Sequence, residues 1–215
     1  CFHEMVKDVY ITSWNDNMLN TSGMNDSCYK GANLLKNMID CFGRVRSMAH
    51  NIPLDAVYPE KMKKNVLFGG NGLLTQNGIP KPSYYAYSFL CRVGEYHLAH
   101  DDHAILFAGK EGNYQIVCHN CKRLNYRYYL DEQNSVLGAP GQYFEETEPL
   151  TLEYRLTGVR NGRYILKQRL VSPENGSVQD LLRQMGAAEG IYVHSHDLEY
   201  LRQVSVPQIH LQETQ

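Results

Sequence analysis

Gly94 divides two kinds of sequence pattern. Before it, apolar strand-like runs alternate with runs whose apolar residues recur at helical spacing. After it, short alternating runs predominate. A chain written this way combines an α/β layer built on parallel strands with antiparallel β structure.

The first strand is read at Val9-Tyr10-Ile11-Thr12 and ends at Ser13-Trp14-Asn15. After a polar loop, Asn25 or Asp26 is expected to cap a helix in which Cys28, Ala32, Leu35 and Ile39 recur, until Gly43 stops it. Val45 to Ile52 reads as a second strand, followed by a long loop containing Pro53, Pro59, Gly69, Gly70 and Gly72. Pro82 suits a first helical turn, and a second helix is predicted from there to Gly94, with Tyr85, Ala86, Phe89, Leu90 and Val93 on one face. Residues 1–94 thus read as two βα units.

Residues 95–215 read as a small antiparallel β-sandwich. Its strands are predicted at Ile105 to Ala108, Tyr114 to Cys118, Leu150 to Leu156 and Tyr164 to Val171. The last two flank Asn161-Gly162, which is predicted to form a tight hairpin. Short helices around Val178 to Met185 and Asp197 to Gln203 precede a final strand-like Gln208 to Leu211.

Lys and Arg number 21 against 23 Asp and Glu, so the chain lacks the clustered cations of a nucleic-acid platform. No apolar run approaches the roughly 20 residues of a membrane helix. The chain is expected to be cytoplasmic and, because Cys1 leads straight into apolar sequence, to be a piece of a longer protein. No cofactor is expected. Neither is a metal: in Cys118-His119-Asn120-Cys121, two cysteines three apart on a strand point to opposite faces. His97-Leu98-Ala99-His100-Asp101-Asp102-His103 has residue types that bind metals but is read as a solvated linker. His194 and His196 are read as a helix-capping loop.

Several segments resemble glycoside hydrolase family 39, the β-xylosidase and α-iduronidase family. They are Ile11-Thr12-Ser13-Trp14-Asn15, Asn25-Asp26-Ser27-Cys28-Tyr29-Lys30, Gly72-Leu73-Leu74 through Gly78-Ile79-Pro80-Lys81-Pro82, Ser172 through Asp180, Met185-Gly186 and Glu199 through Gln203. The resemblance implies α/β plus all-β architecture: the last two βα units of a partial (β/α)8 barrel, then an accessory β-sandwich. It also places Ser13 where the family carries its nucleophilic Glu. A retaining glycosidase needs two carboxyl groups about 5 Å apart, and a neutral hydroxyl does not supply the charge. The second strand carries Ser47-Met48-Ala49-His50 where the family usually has Tyr-Trp. The acid/base Glu, expected earlier in the family's chain, is absent from this sequence.

No catalytic residue is therefore expected. The ligand-binding candidates are Ser13, Trp14, Asn15, His50 and Asp55, with a sugar as ligand. Modules of this kind occur at the C-terminus of AraC-type transcription regulators, which makes sugar sensing or dimerisation the first expected function, with DNA reached only through an upstream domain. A β-xylosidase fragment with its Glu replaced by Ser13, and a carbohydrate-binding module, are the alternatives. The open edges of two barrel strands are expected to be covered by a second copy or by another part of the protein.

Overall fold

The structure is a computed structural model that describes residues 8–16, 21–55, 65–133, 140–186 and 194–214; Cys1 and Pro59 lie outside them. Strands β1 (Tyr10–Trp14) and β2 (Ser47–His50) pair in parallel, joined through a 3-10 turn at Gly23–Asp26 and helix α1 (Cys28–Asp40). The helix is capped by Ser27, in extended backbone, rather than by Asn25 or Asp26. Those two side chains are committed elsewhere: Asn25 Nδ2 donates to the Gly69 carbonyl and Asp26 Oδ2 accepts from the Gly69 amide, both at 2.8 Å. Gly69 itself adopts φ 76° against the Ser22 backbone, a position where a side chain has neither the conformation nor the space.

Helix α2 (Pro82–Leu90) follows the long loop and ends short of the expected Gly94. The chain must already turn there, because Gly94 lies directly against the Ala108 carbonyl. The two helices approach closely at Gly31, where a Cβ would fall 2.6 Å from the Pro82 carbonyl oxygen.

Next comes an antiparallel meander of β3 (Tyr96–His100), β4 (Ala104–Ala108) and β5 (Tyr114–Cys118). The stretch expected as a linker, from His97 onward, therefore contains a strand. Ile105, Phe107 and Val117 share one buried cluster with Leu34, Leu35 and Ile39 of α1 and Ala86 of α2, so the core runs unbroken across Gly94. Burial of apolar side chains here is the main force joining helices to sheet.

Further on, two expectations are corrected. Leu150 to Leu156 forms no strand, and Asn161-Gly162 is a bend rather than a hairpin. Strand β6 (Tyr164–Arg169) instead pairs through six registered positions with β7 (Ile209–Thr214), which takes up the hydrogen bonds a hairpin partner would have used. The left-handed conformation in this turn belongs to Gly158.

Helix α3 (Tyr126–Gln133), without a clear sequence signal, places Tyr128 against Met24 and Tyr143. Helices α4 (Val178–Gln184) and α5 (Ser195–Val204) bring Val178, Leu182 and Leu201 onto Val66 and Ile79. His194 caps α5, where its backbone amide donates to Asp197. The Tyr85 hydroxyl donates to the Ser205 carbonyl at 3.1 Å, tying the end of α5 back to α2. Among the described residues the result is a mixed helix and sheet fold with three small sheets, and no helix there is long and apolar enough to cross a membrane.

Candidate functional site

The register of β1 against β2 holds one irregularity: Ile11 faces Met48 and Trp14 faces His50, so β1 advances three residues while β2 advances two. This bulge re-aims the strand end. Ser13 is exposed there, while Trp14 turns inward and meets the His50 ring edge-on, centroids 6.3 Å apart. Tyr87 of α2 lies on His50 at 5.7 Å.

His50 Nε2 stands 3.0 Å from the Asn71 carbonyl. Burial pushes the His50 imidazole below its ordinary value, against the opposing pull of that carbonyl, so the ring is neutral at neutral pH. With Nε2–H donating to Asn71, Nδ1 is an acceptor. Among the described residues, neither it nor the buried Asn71 Oδ1 finds a hydrogen-bond partner. The Trp14 indole N–H and the Tyr87 hydroxyl are likewise unmet, so the cluster offers both acceptors and donors to hydroxyl groups or water.

Asn15 is fully used. Its Nδ2 donates to Asn51 Oδ1 at 3.1 Å and to the Asn71 carbonyl, and its Oδ1 accepts from Lys30 Nζ at 2.6 Å and from the Asp16 amide at 2.9 Å. Lys30 also pairs with Asp16, whose second oxygen accepts from Asn33 Nδ2 at 2.8 Å. Lys30 is buried and Asp16 half-buried, and burial draws the Lys30 ammonium below its usual range. A cavity of ≈ 190 Å³ lies beside them, lined by Asp16, Asn25, Lys30 and Asn33 on its polar side and by Tyr29, Tyr128 and Tyr129 on its aromatic side.

Asp55 lies apart from this group. Its two oxygens both sit 3.1 Å from Lys81 Nζ, and Oδ1 also accepts from the Gly72 amide at 2.7 Å. Lys81 in turn meets Asp26 Oδ1 and the Gly70 carbonyl, each at 2.7 Å, and is wholly buried. This cluster ties Asp55 to Gly70, Gly72 and Lys81. Two carboxylates share one ammonium, and burial first, with Asp26 adding to it, pushes Asp55 up to about 6 against the pull of Lys81.

Of the five candidates, then, Trp14, Asn15 and His50 converge, Ser13 stands exposed beside them, and Asp55 points into the interior. Sequence reading missed Asp16, Lys30, Asn33, Asn71 and Tyr87. One signal was available: Lys30 lies four residues before Leu34 on the buried stripe of α1, and a lysine on such a stripe needs an acidic partner. Chemically, the site offers one carboxylate already neutralised by Lys30 and no carboxylate at the Ser13 position. Among the described residues, no three His, Cys, Asp or Glu side chains come together to cage a metal.

No family model matches this sequence. Its fold is similar to that of a GH39 enzyme from Xanthomonas axonopodis pv. citri (TM-score 0.69, 19% identity, 97% of this chain and 40% of that one). It is also similar to a monomeric β-xylosidase from Caulobacter crescentus CB15 (TM-score 0.71, 21% identity, 96% of this chain and 41% of that one) and to a GH39 β-xylosidase from Caulobacter crescentus (TM-score 0.64, 18% identity, 97% of this chain and 41% of that one). At these identities the likeness is one of fold. The chain spans about two fifths of the length of those structures, and over that span it folds as part of a GH39 β-xylosidase does.

Proposed function

We propose that this chain binds a sugar without hydrolysing it, at the strand-end group of Trp14, Asn15 and His50. The observation that carries this reading is the set of unmet buried polar atoms here, His50 Nδ1, Asn71 Oδ1, the Trp14 indole N–H and the Tyr87 hydroxyl, with the Trp14 and Tyr87 rings both packed on His50. A polyol supplies several hydroxyl donors and an apolar ring face at once, which suits acceptors set against an aromatic. Ser13 at the strand end, and Asp16 tied to Lys30, support binding without turnover. The setting we propose is the C-terminal region of an AraC-type transcription regulator, with the sugar as signal and DNA contacted by another domain. This setting rests on the resemblance in the sequence motifs.

A second reading, part of a β-xylosidase whose nucleophile position holds Ser13, is favoured by the xylosidase folds above. Calorimetry with xylose and xylobiose, together with an aryl-xyloside hydrolysis assay on the intact protein, separates the two. Saturable binding with no turnover supports the first reading. Appreciable turnover by the unmodified protein defeats it, and Ser13→Glu serves as the companion variant.

A further inference from the structure

Strand β3 is an edge strand, and its register against β4 carries a bulge. His97 faces Phe107, Ala99 faces Leu106 and His100 faces Ile105, so Leu98 is the extra residue. Residues three apart on a regular strand project to opposite faces, but one inserted residue reverses that parity. His97 and His100 consequently share the face of Phe107 and Ile105, the face that covers α1 and α2. At the sheet edge that face meets Phe42, two residues beyond the end of α1. Both rings lie on Phe42, His97 with a centroid distance of 4.6 Å and His100 with 5.6 Å, and His97 also touches Phe107 at 5.6 Å.

The rings meet at their nitrogens: His100 Nδ1 and His97 Nε2 are 3.1 Å apart and exposed to solvent. Metal–imidazole bonds of about 2.0–2.1 Å spanning that gap give a nitrogen–metal–nitrogen angle of about 95–100°, between the square-planar and tetrahedral values. We propose that His97 and His100 are a two-nitrogen chelate for a divalent ion of the imidazole-preferring class, Ni²⁺, Cu²⁺ or Zn²⁺.

Chelation takes both facing nitrogens as lone-pair donors, so each ring carries its proton on the outer nitrogen, His97 Nδ1 and His100 Nε2, when the ion is bound. The remaining coordination positions go to water, since Asp101, the next residue, is occupied by the His103 and Ala104 amides and the Tyr154 hydroxyl. Aromatic packing on Phe42 and Phe107 sets the ring orientations in advance, which lowers the ordering cost of a surface chelate. The closing turn of α1 adjoins Phe42, and its carbonyl-rich end favours a cation nearby.

The experiment is a Ni²⁺ titration of the intact protein by calorimetry and by amide NMR. One ion is expected to bind, with paramagnetic broadening centred on Leu98, Ala99 and Phe42, and Mg²⁺ or Ca²⁺ should give no response. His97→Gln and His100→Gln should each weaken binding about tenfold or more, to a similar extent, as loss of one arm of a chelate does, while His210→Gln should not. Wild-type affinity in either of the first two variants overturns the proposal, as does broadening centred elsewhere. Should a variant melt early, the position of the broadening in the unmodified protein decides.

Discussion

The ammonium of Lys81 lies 3.1 Å from both carboxylate oxygens of Asp55, and neither side chain reaches solvent. Around this contact residues 70–74 are tied to Leu54 and Asp55: Gly72 and Gly70 bond to the same two side chains, and Leu54 bridges to Leu74. The loop in turn carries Asn71, whose carbonyl orients His50.

Lys81→Met should destabilise the protein by about 3–5 kcal/mol, the range seen when one partner of a buried ion pair is removed. The methionine fills the volume but leaves Asp26 and Asp55 facing each other uncompensated. Chemical denaturation of the two proteins at pH 7 measures the difference. A change under 1 kcal/mol would mean that the cluster is not buried as described.

Asp55 gives a pH signature. Its carboxyl rises to about 6 from an ordinary value of 3.8, so the folded state holds a proton there that the unfolded state has lost. The stability contributed by this group is complete below pH 4 and falls away as pH rises through about 6. Asp55→Asn should therefore cost more stability at pH 4.5 than at pH 7.5. An equal cost at both ends, in melts run across the range, contradicts the assignment.

His119 acts in the opposite sense. Burial pushes its imidazole from 6.5 down to about 4, and His103 and Lys36 add to the shift. Stability from this group is complete above pH 6.5 and is lost as pH falls toward 4. Replacement by Gln should flatten that acid limb by about 1–3 kcal/mol. Thermal melts of both proteins between pH 4 and 7 test it.

His50→Phe keeps a ring between Trp14 and Tyr87 but removes the Nδ1 acceptor and the bond to Asn71. Sugar affinity should fall by about five- to tenfold, the value of about one neutral hydrogen bond. The fold, followed by circular dichroism, should persist. Affinity equal to the unmodified protein would remove His50 from the site.

Gly31→Ala should cost about 1–3 kcal/mol, because the new methyl meets the Pro82 carbonyl and the two helices must move apart. Urea unfolding of this variant measures how tightly α1 and α2 are held.

Much of the architecture was legible in the residues. The stripe of Leu35 and Ile39 and the Pro82 start declared the two helices, and alternating apolar runs declared β4 and β5. What escaped reading was decided at long range. Asn161-Gly162 has good hairpin chemistry, but β6 takes its hydrogen bonds from β7, some forty residues further on. Asn25 and Asp26 are good caps, yet Gly69 claims them across 43 to 44 residues. Trp14 and Asn15 were legible as residues of the β1 end, where Trp14 packs on His50 and Asn15 bonds to Asn51. Asp16 and Lys30 were not, because their meeting depends on the rotational setting of α1 against β1. Asp55 reads as a ligand-binding candidate in the sequence, but Lys81, 26 residues further on, takes both its oxygens.

The bond from Tyr85 to Ser205 joins positions 120 residues apart, and α4 and α5 form the apolar cover over Val66 and Ile79. A ribosome adding about 5–20 residues per second needs on the order of 6–24 seconds to pass from one to the other. Until α5 has been made, Val66 and Ile79 lack the apolar cover of Leu201, and Tyr85 lacks its Ser205 acceptor, although α2 already has α1 to pack on. For this chain, chaperone capture during synthesis is a matter of timing, and the vulnerable stretch is the one around Ile79.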